Sequence, residues 1–280
     1  MNSSISIFWF RRDLRLHDNA GLFHALKDGN QVLPIFIFDR NILDELEDKA
    51  DRRVEFIHEA LQDLQKQLTK LGSTLDVRYG NPVEIFKELI NEYAVQKVFA
   101  NHDYEPYAKE RDAEVEILLR EKSISFHSYK DQVIFEKDEV LKDDGKPYTI
   151  FTPYSKKWKI KLTDFFLECY NNKKYFKNFY KQAEREIISL EVMGFKSSGQ
   201  SFPDKEWKGQ VIRHYKDHRD IPSVEGTSRL SVHLRFGTIS IRSLAAEAGA
   251  LNEIFLNELI WRDFYHIILW HFLNVVSNSF

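Results

Sequence analysis

Short apolar runs alternate with longer amphipathic stretches along the first half of the chain. Ile5–Phe10, Val32–Phe38, Thr74–Tyr79, Lys97–Ala100 and Ser125–Ser128 are brief, rich in β-branched and aromatic side chains and closed off by polar residues, so they predict five strands. Between the second and third, Val54, Ile57, Leu61, Leu64, Leu68 and Leu71 recur at steps of three and four, the single buried stripe of one long helix. Pro82 and Pro106 suit the first turns of two further helices, where a fixed φ helps and a missing N–H costs nothing. Strand, helix and strand repeated in this way predict an α/β domain over residues 1–130, built on a doubly wound, parallel five-stranded sheet.

The pattern changes after Lys130. Residues 131–204 are polar and irregular, with Lys142 to Pro147 reading as a turn, Gly194 to Gln200 as a loop, and helix only around Tyr154 to Tyr170. They predict an interdomain connection. From 205 to 280 helical periodicity dominates, which predicts the opening of an all-helical domain.

A chain of 280 residues exceeds one average domain, in keeping with this division. Hydrophobic content of 43% with 30% charged residues describes a soluble globular protein, and the outlying value is 14% aromatic. A single cysteine, Cys169, excludes an internal disulfide framework and suits a reducing compartment. The first apolar run leads straight into Arg11-Arg12-Asp13, unlike a signal peptide, so the expected location is cytoplasmic. The apolar run from Phe264 to Val276 is broken by His266, His271 and Asn274 and falls short of the roughly 18 residues that a membrane span needs. No metal-ligand spacing stands out. A net charge of −3 leaves any nucleic-acid contact to a local patch. Residues 151–184 hold eight Lys against three acids, interleaved with ten aromatics, a composition shared by nucleic-acid surfaces and by solvated faces.

Two segments carry the candidate chemistry. Glu225-Gly226-Thr227-Ser228-Arg229-Leu230-Ser231 puts a Gly, three hydroxyls and an Arg at what reads as a helix start, where free N–H groups and the helix dipole favour an anion. An ordinary Thr/Ser helix cap would read the same way. Asn257-Glu258-Leu259-Ile260-Trp261-Arg262-Asp263-Phe264-Tyr265 follows, with Glu258, Trp261, Arg262 and Tyr265 on one i, i+3, i+4, i+7 stripe. Glu258 and Arg262 could form an i, i+4 surface ion pair. The neighbouring Leu256, Leu259, Ile260, Phe264, Ile267 and Ile268 instead predict a largely buried helix, in which a carboxylate needs a partner or a task.

These words, with Trp9-Phe10-Arg11-Arg12-Asp13-Leu14-Arg15-Leu16-His17-Asp18-Asn19 and Phe151-Thr152-Pro153-Tyr154, resemble the DNA photolyase/cryptochrome family of flavoproteins, in order and along the whole chain. Within it, Asn257 to Arg262 is most similar to photolyases that repair cyclobutane pyrimidine dimers. The resemblance implies light-dependent repair by electron transfer from reduced flavin adenine dinucleotide (FAD). It implies FAD contacts at Tyr215, Thr227, Ser228, Arg229, Leu230, Ser231, Phe255 and Arg262, with Phe255 standing where dimer-repairing relatives often place Trp. It gives Glu258 and Trp261 to the damaged bases as the catalytic pair, and Arg219, Glu258, Trp261, Arg262 and Tyr265 to DNA. The α/β domain would be the antenna module, which can hold a second chromophore, folate or deazaflavin. It lacks a Gly-x-Gly-x-x-Gly turn after its first strand. Folate-binding members carry Asn-Glu shortly after Tyr-Glu, whereas Tyr107-Ala108 follows Tyr104-Glu105 here.

Family members continue beyond the helix that ends this chain. The expectation is therefore an incomplete flavin domain that holds FAD weakly or not at all and does not repair DNA alone, from a protein monomeric at full length. Two other readings stand beside repair: a cryptochrome-type blue-light receptor, and a non-catalytic nucleotide-binding α/β protein.

Overall fold

A computed structural model describes residues 4–278. Five strands, β1 (Ile5–Phe10), β2 (Gln31–Asp39), β3 (Asp76–Gly80), β4 (Val95–Asn101) and β5 (Ser125–Tyr129), form one parallel sheet in the order β3-β2-β1-β4-β5. The helices threaded between them are α1 (Ala20–Lys27), α2 (Arg40–Leu43), α3 (Arg52–Lys70), α4 (Pro82–Glu92) and α5 (Pro106–Glu121). Beyond the sheet come α6 (Phe151–Lys161), α7 (Asp164–Leu167), a 3₁₀ turn at Asn172–Asn178, α8 (Gly209–Arg213), α9 (Tyr215–His218), α10 (Ser231–Phe236), α11 (Ile241–Leu251), α12 (Glu253–His271) and a second 3₁₀ turn at Leu273–Val276. All five predicted strands are present.

β3 starts two residues later than the pattern suggested, because Gln65 on α3 captures the segment before it. Its Oε1 accepts from Leu75 N at 2.7 Å and its Nε2 donates to Thr74 Oγ1 at 2.7 Å, so neither residue enters the ladder. Pro82 and Pro106 do open α4 and α5. β1 is buried along its whole length, and its side chains divide with period two. Ile5, Ile7 and Trp9 pack with α4 and α5, whereas Phe8 and Phe10 pack with the apolar stripe of α3 and with α1.

A separate apolar cluster centres on α11 and α12. The stretch from 131 to 204 feeds both cores. Ile134, Phe135, Tyr154 and Trp158 join the helical cluster, while Phe179, Leu190, Met193 and Phe195 pack under the sheet.

The first family-like word, Trp9 to Asn19, carries a buried polar joint between these layers at Arg15 and Asp18. Asp131, just past β5, accepts from Arg15 Nη2 at 2.8 Å, from Arg242 Nη2 of α11 at 2.8 Å, and from Ala20 N at 3.0 Å. Asp18 accepts from Arg242 Nε at 2.9 Å, from the Ser240 hydroxyl, and from Tyr170 N at 2.8 Å. Burial pushes the Asp131 carboxyl up, but Arg15 and Arg242 outweigh it and hold the pKa below the usual range. Gly237 meets the same word: its φ is +63°, and a Cβ there would collide with the backbone of Arg12. Removing one partner of a buried pair strands the charge left behind, so Arg242→Ala should destabilise the chain by about 3–5 kcal/mol in urea unfolding. A change below about 1 kcal/mol would mean that the joint does not hold the layers together.

Candidate functional site

Asn252 starts α12 by accepting from Ile254 N at 3.0 Å and Phe255 N at 3.2 Å, and Glu253 in the first turn complements the helix dipole. The helix is buried on one face, through Phe255, Leu256, Leu259, Ile260, Asp263, Phe264, Ile267 and Ile268. The stripe of Glu258, Trp261, Arg262 and Tyr265 lies off that face, and Tyr265 is 63% exposed. This is more open than the run of apolar neighbours suggested, because those neighbours cluster on one side.

The stripe residues take different partners. The Trp261 ring lies parallel to that of Phe151, the first residue of α6, with centroids 3.7 Å apart and planes at 5°. The i, i+4 pair of Glu258 with Arg262 does not form. Glu258 accepts from Arg219 Nη1 at 2.6 Å, while the Arg262 guanidinium is drawn inward to donate to the carbonyls of Gln132 and Leu234. Burial lowers the Arg262 pKa, against the pull of Asp263. The Arg219 to Glu258 bridge is half open to solvent, which makes it easy to exchange for another partner.

The turn before α10 is pinned at Gly226, where a Cβ would collide with the His218 backbone. Arg229 adopts a left-handed φ of +54°. The helix itself begins only at Ser231, runs for six residues and has no side-chain cap, so Thr227 and Ser228 are not helix caps. Among the described residues, the N–H groups of Thr227, Ser228 and Arg229 find no acceptor. Thr227, Arg229 and Ser231 are exposed. Such a row of free amide and hydroxyl donors beside an Arg fits the diphosphate of a dinucleotide. The rings of Tyr215 and Phe255 meet edge-on at 5.1 Å, and the Arg219 guanidinium lies 5.6 Å from the Tyr215 ring. On α12, Asn257 Oδ1 is buried with no donor among the described residues, an acceptor that a group from outside the chain could satisfy.

Two cavities adjoin these elements. One, of about 360 Å³, is bounded by Ser231 and Leu234 of α10, Arg262, Tyr265 and His266 of α12, and Arg12, Tyr104 and Glu105 from the loops after β1 and β4. Burial and the Arg262 charge push the His266 pKa down to about 3, so this imidazole is neutral. The other is a narrow slot of about 160 Å³ at the carboxyl ends of β1 and β2, walled by Trp9, Phe36, Phe38, Asp39, Tyr107 and Arg111. The Tyr107 hydroxyl donates to Asp39, and burial with that carboxylate pushes its pKa up to about 12. A larger hollow of about 610 Å³ between α3 and residues 201–205 touches none of the candidate residues. Among the described residues no group of three or more His, Cys, Asp or Glu side chains could hold a metal ion, and no helix is long and apolar enough to cross a membrane.

The family pattern described as DNA photolyase matches residues 6–187. This chain belongs to the DNA photolyase family. A deoxyribodipyrimidine photo-lyase from Synechococcus sp. (strain PCC 6301) is 30% identical over 98% of the chain. The chain spans 62% of that relative's length. The crystal structure of a bacterial class III photolyase from Agrobacterium tumefaciens shares the fold at a TM-score of 0.83 and 22% identity, covering 99% of this chain and 61% of that one. An archaeal photolyase from Sulfolobus tokodaii, whose structure carries two FAD molecules, matches at a TM-score of 0.76 and 26% identity over 98% of this chain and 61% of that one.

In this photolyase-family chain, α12 gathers residues far apart in sequence. Arg219 and Tyr215 meet Glu258 and Phe255, and Ser231 shares a cavity with Arg262 and Tyr265. Trp261 stands with Phe151 on another part of the helix surface. Lysines of the basic stretch are partly committed within the chain, Lys157 to Asp143 at 2.9 Å and Lys159 to Glu253 at 2.5 Å. Of the slot residues, Tyr107 stands in the sequence as a departure from the folate-binding pattern, whereas Asp39 and Arg111 belong to no motif. A usable signal existed, since ligands of open α/β sheets gather outside the carboxyl ends where strand order reverses, here between β1 and β4, and Tyr107 and Arg111 stand on α5, which follows β4.

Asp263 was also passed over. Its Oδ2 accepts from Ile134 N at 3.1 Å, Phe135 N at 3.2 Å and Trp158 Nε1 at 3.0 Å, while its Oδ1 has no partner among the described residues. Burial, against these bonds, pushes its pKa up to about 6. A carboxyl whose folded pKa is raised binds its proton more tightly in the native state, so its contribution to stability falls as pH rises from about 4 to about 6. Urea titrations of wild type and Asp263→Asn across that window should show wild type losing on the order of 2–3 kcal/mol relative to the variant. Parallel pH profiles would contradict the raised pKa.

Proposed function

We propose that the protein carrying this chain repairs cyclobutane pyrimidine dimers in DNA in a light-dependent reaction, with α12 reading the damage and the 225–231 turn holding the diphosphate of FAD. The single observation behind this reading is that Glu258, Trp261 and Tyr265 stand on the partly open side of α12, with Arg262 beside them, while the opposite face is buried. Side chains that only support a core have no reason to be gathered there.

Reduced FAD, when bound, would supply the light-excited electron that opens the cyclobutane ring and would take it back once the ring has split, leaving no net oxidation or reduction. The protein supplies position and charge. Thr227, Ser228 and Ser231 offer donors to the diphosphate, Arg229 adds a cation, and Tyr215, Leu230, Phe255 and Arg262 supply further contacts to the cofactor. A dimer flipped from the duplex costs a few kcal/mol of unpairing and unstacking, least where the bases are already damaged. Trp261 recovers part of that by stacking on the base. Glu258 hydrogen-bonds the damaged bases and steadies charge that develops on them. Its bridge to Arg219 orients the carboxylate and keeps a cation at hand for a DNA phosphate.

The slot at the carboxyl ends of β1 and β2 is the site for a second, light-harvesting chromophore. Its aromatic walls suit a planar ring, and Asp39, Tyr107 and Arg111 suit polar groups on the ring edge. Tyr107 and Ala108, in place of Asn-Glu, favour a deazaflavin or flavin over a folate. The protein acts as a monomer on damaged DNA in the cytoplasm, with Cys169 free.

The test is loss of dimers from an irradiated oligothymidylate under near-ultraviolet or blue light, followed by chromatography. Wild-type protein with reduced FAD should clear dimers only in the light. Trp261→Ala should weaken binding to dimer-containing DNA about ten- to a hundredfold, from a stacking contribution of about 1–3 kcal/mol per base. Wild-type protein that binds flavin yet leaves the dimers intact in the light would overturn the reading.

A further inference from the structure

The word Phe151-Thr152-Pro153-Tyr154 helped to mark the family, yet neither flavin nor DNA gives it a task. Its place in the fold does. Phe151, Tyr154 and Trp158 recur at i, i+3, i+7 along one face of α6, and that face lies on α12. Each meets a different α12 residue. Trp158 donates its indole N–H to Asp263 at 3.0 Å, the Tyr154 ring packs 5.1 Å from Phe264, and the Phe151 ring stacks on Trp261 at 3.7 Å.

The contacts differ in character along the helix. At one end a carboxylate, 0% exposed, collects three N–H donors and locks α6 and the 134–135 segment onto α12. At the other, two half-buried rings lie face to face, two turns away along α6 from the locked end. An indole on an open helix surface samples several rotamers, and stacking on a damaged base must then bear the cost of choosing one. A ring fixed parallel behind it lowers that cost, because an indole tilted out of this plane loses the 5° stack.

We propose that Phe151 is a positioning residue for damage recognition: it backs the Trp261 indole and presets the plane offered to the flipped dimer, with the Asp263 to Trp158 bond holding α6 in place behind it. This rests on the dimer-repair reading of Trp261 given above. Phe151 acts through Trp261 and touches no reacting atom.

The experiment is a double-mutant cycle on the flavin-loaded native protein, measuring Kd for a dimer-containing oligonucleotide and for the same oligonucleotide undamaged. Phe151→Leu keeps apolar volume and removes the flat face. It should raise the Kd for damaged DNA about twofold to tenfold, the cost of ordering one free side chain on binding. Its affinity for undamaged DNA and its flavin spectrum should stay near wild type, and Phe151→Trp should restore damage binding. In the Trp261→Ala background the same substitution should change nothing further. Additive losses, or a Phe151→Leu protein that discriminates damage as well as wild type, would overturn the positioning role alone. If Trp261→Ala itself leaves damage binding intact, the dimer-repair reading of Trp261 falls and takes the positioning role with it.

Discussion

Four buried charges settle how the two layers of this molecule sit on each other. Arg15 follows β1, Asp18 precedes α1, Asp131 follows β5, and Arg242 lies on α11, so each comes from a different stretch of chain. Each is at most 7% exposed, a burial that would be prohibitive for any one of them alone. Two cations and two carboxylates in mutual contact offset the loss of water, and backbone donors at Ala20 and Tyr170 occupy further lone pairs on the carboxylates. A sliding motion between sheet and helices would strand these groups, whereas apolar contacts alone could tolerate it. Apolar contact supplies the cohesion, and the web supplies the register.

That register decides what α12 can do. Its buried face is seated on α11 and α6, and the sheet side is fixed through Arg262, which reaches the carbonyls of Gln132 and Leu234. The remaining stripe is left with a carboxylate, an indole and a phenol on a support that does not move. Fixed support matters for recognition, since a site ordered in advance spends less of its binding energy on ordering itself. The slot at the end of the sheet and the cavity under α12 share Arg12, Asp103, Glu105 and Arg235, so the joint also sets the distance between the slot and α12.

Much of the sheet was legible from pattern. A strand buried on both faces must read as a continuous apolar run, and Ile5–Phe10 does; a helix with one buried side must repeat at three and four, and Val54 to Leu71 does. Thr74 and Leu75 were read as strand because nothing local shows that Gln65 will take their polar groups. The stripe on α12 was legible for the same periodic reason, but its partners were not. Glu258 pairs with Arg219 across 39 residues, and Arg262 is turned inward by carbonyls 130 and 28 residues away, choices made by tertiary packing. Trp9 to Asn19 was legible as a family word and illegible as a joint, since its partners Asp131 and Arg242 carry no local mark of their role.

Native-state hydrogen exchange measures the central claim most directly. If the web makes sheet and helices one cooperative unit, amides of β1, β4 and the buried face of α12 should exchange only through the same global opening, with one shared free energy and one shared denaturant dependence. Exchange of the α12 amides through a separate opening several kcal/mol below that of the sheet would contradict the account, because the helix that carries Trp261 would then be only loosely held.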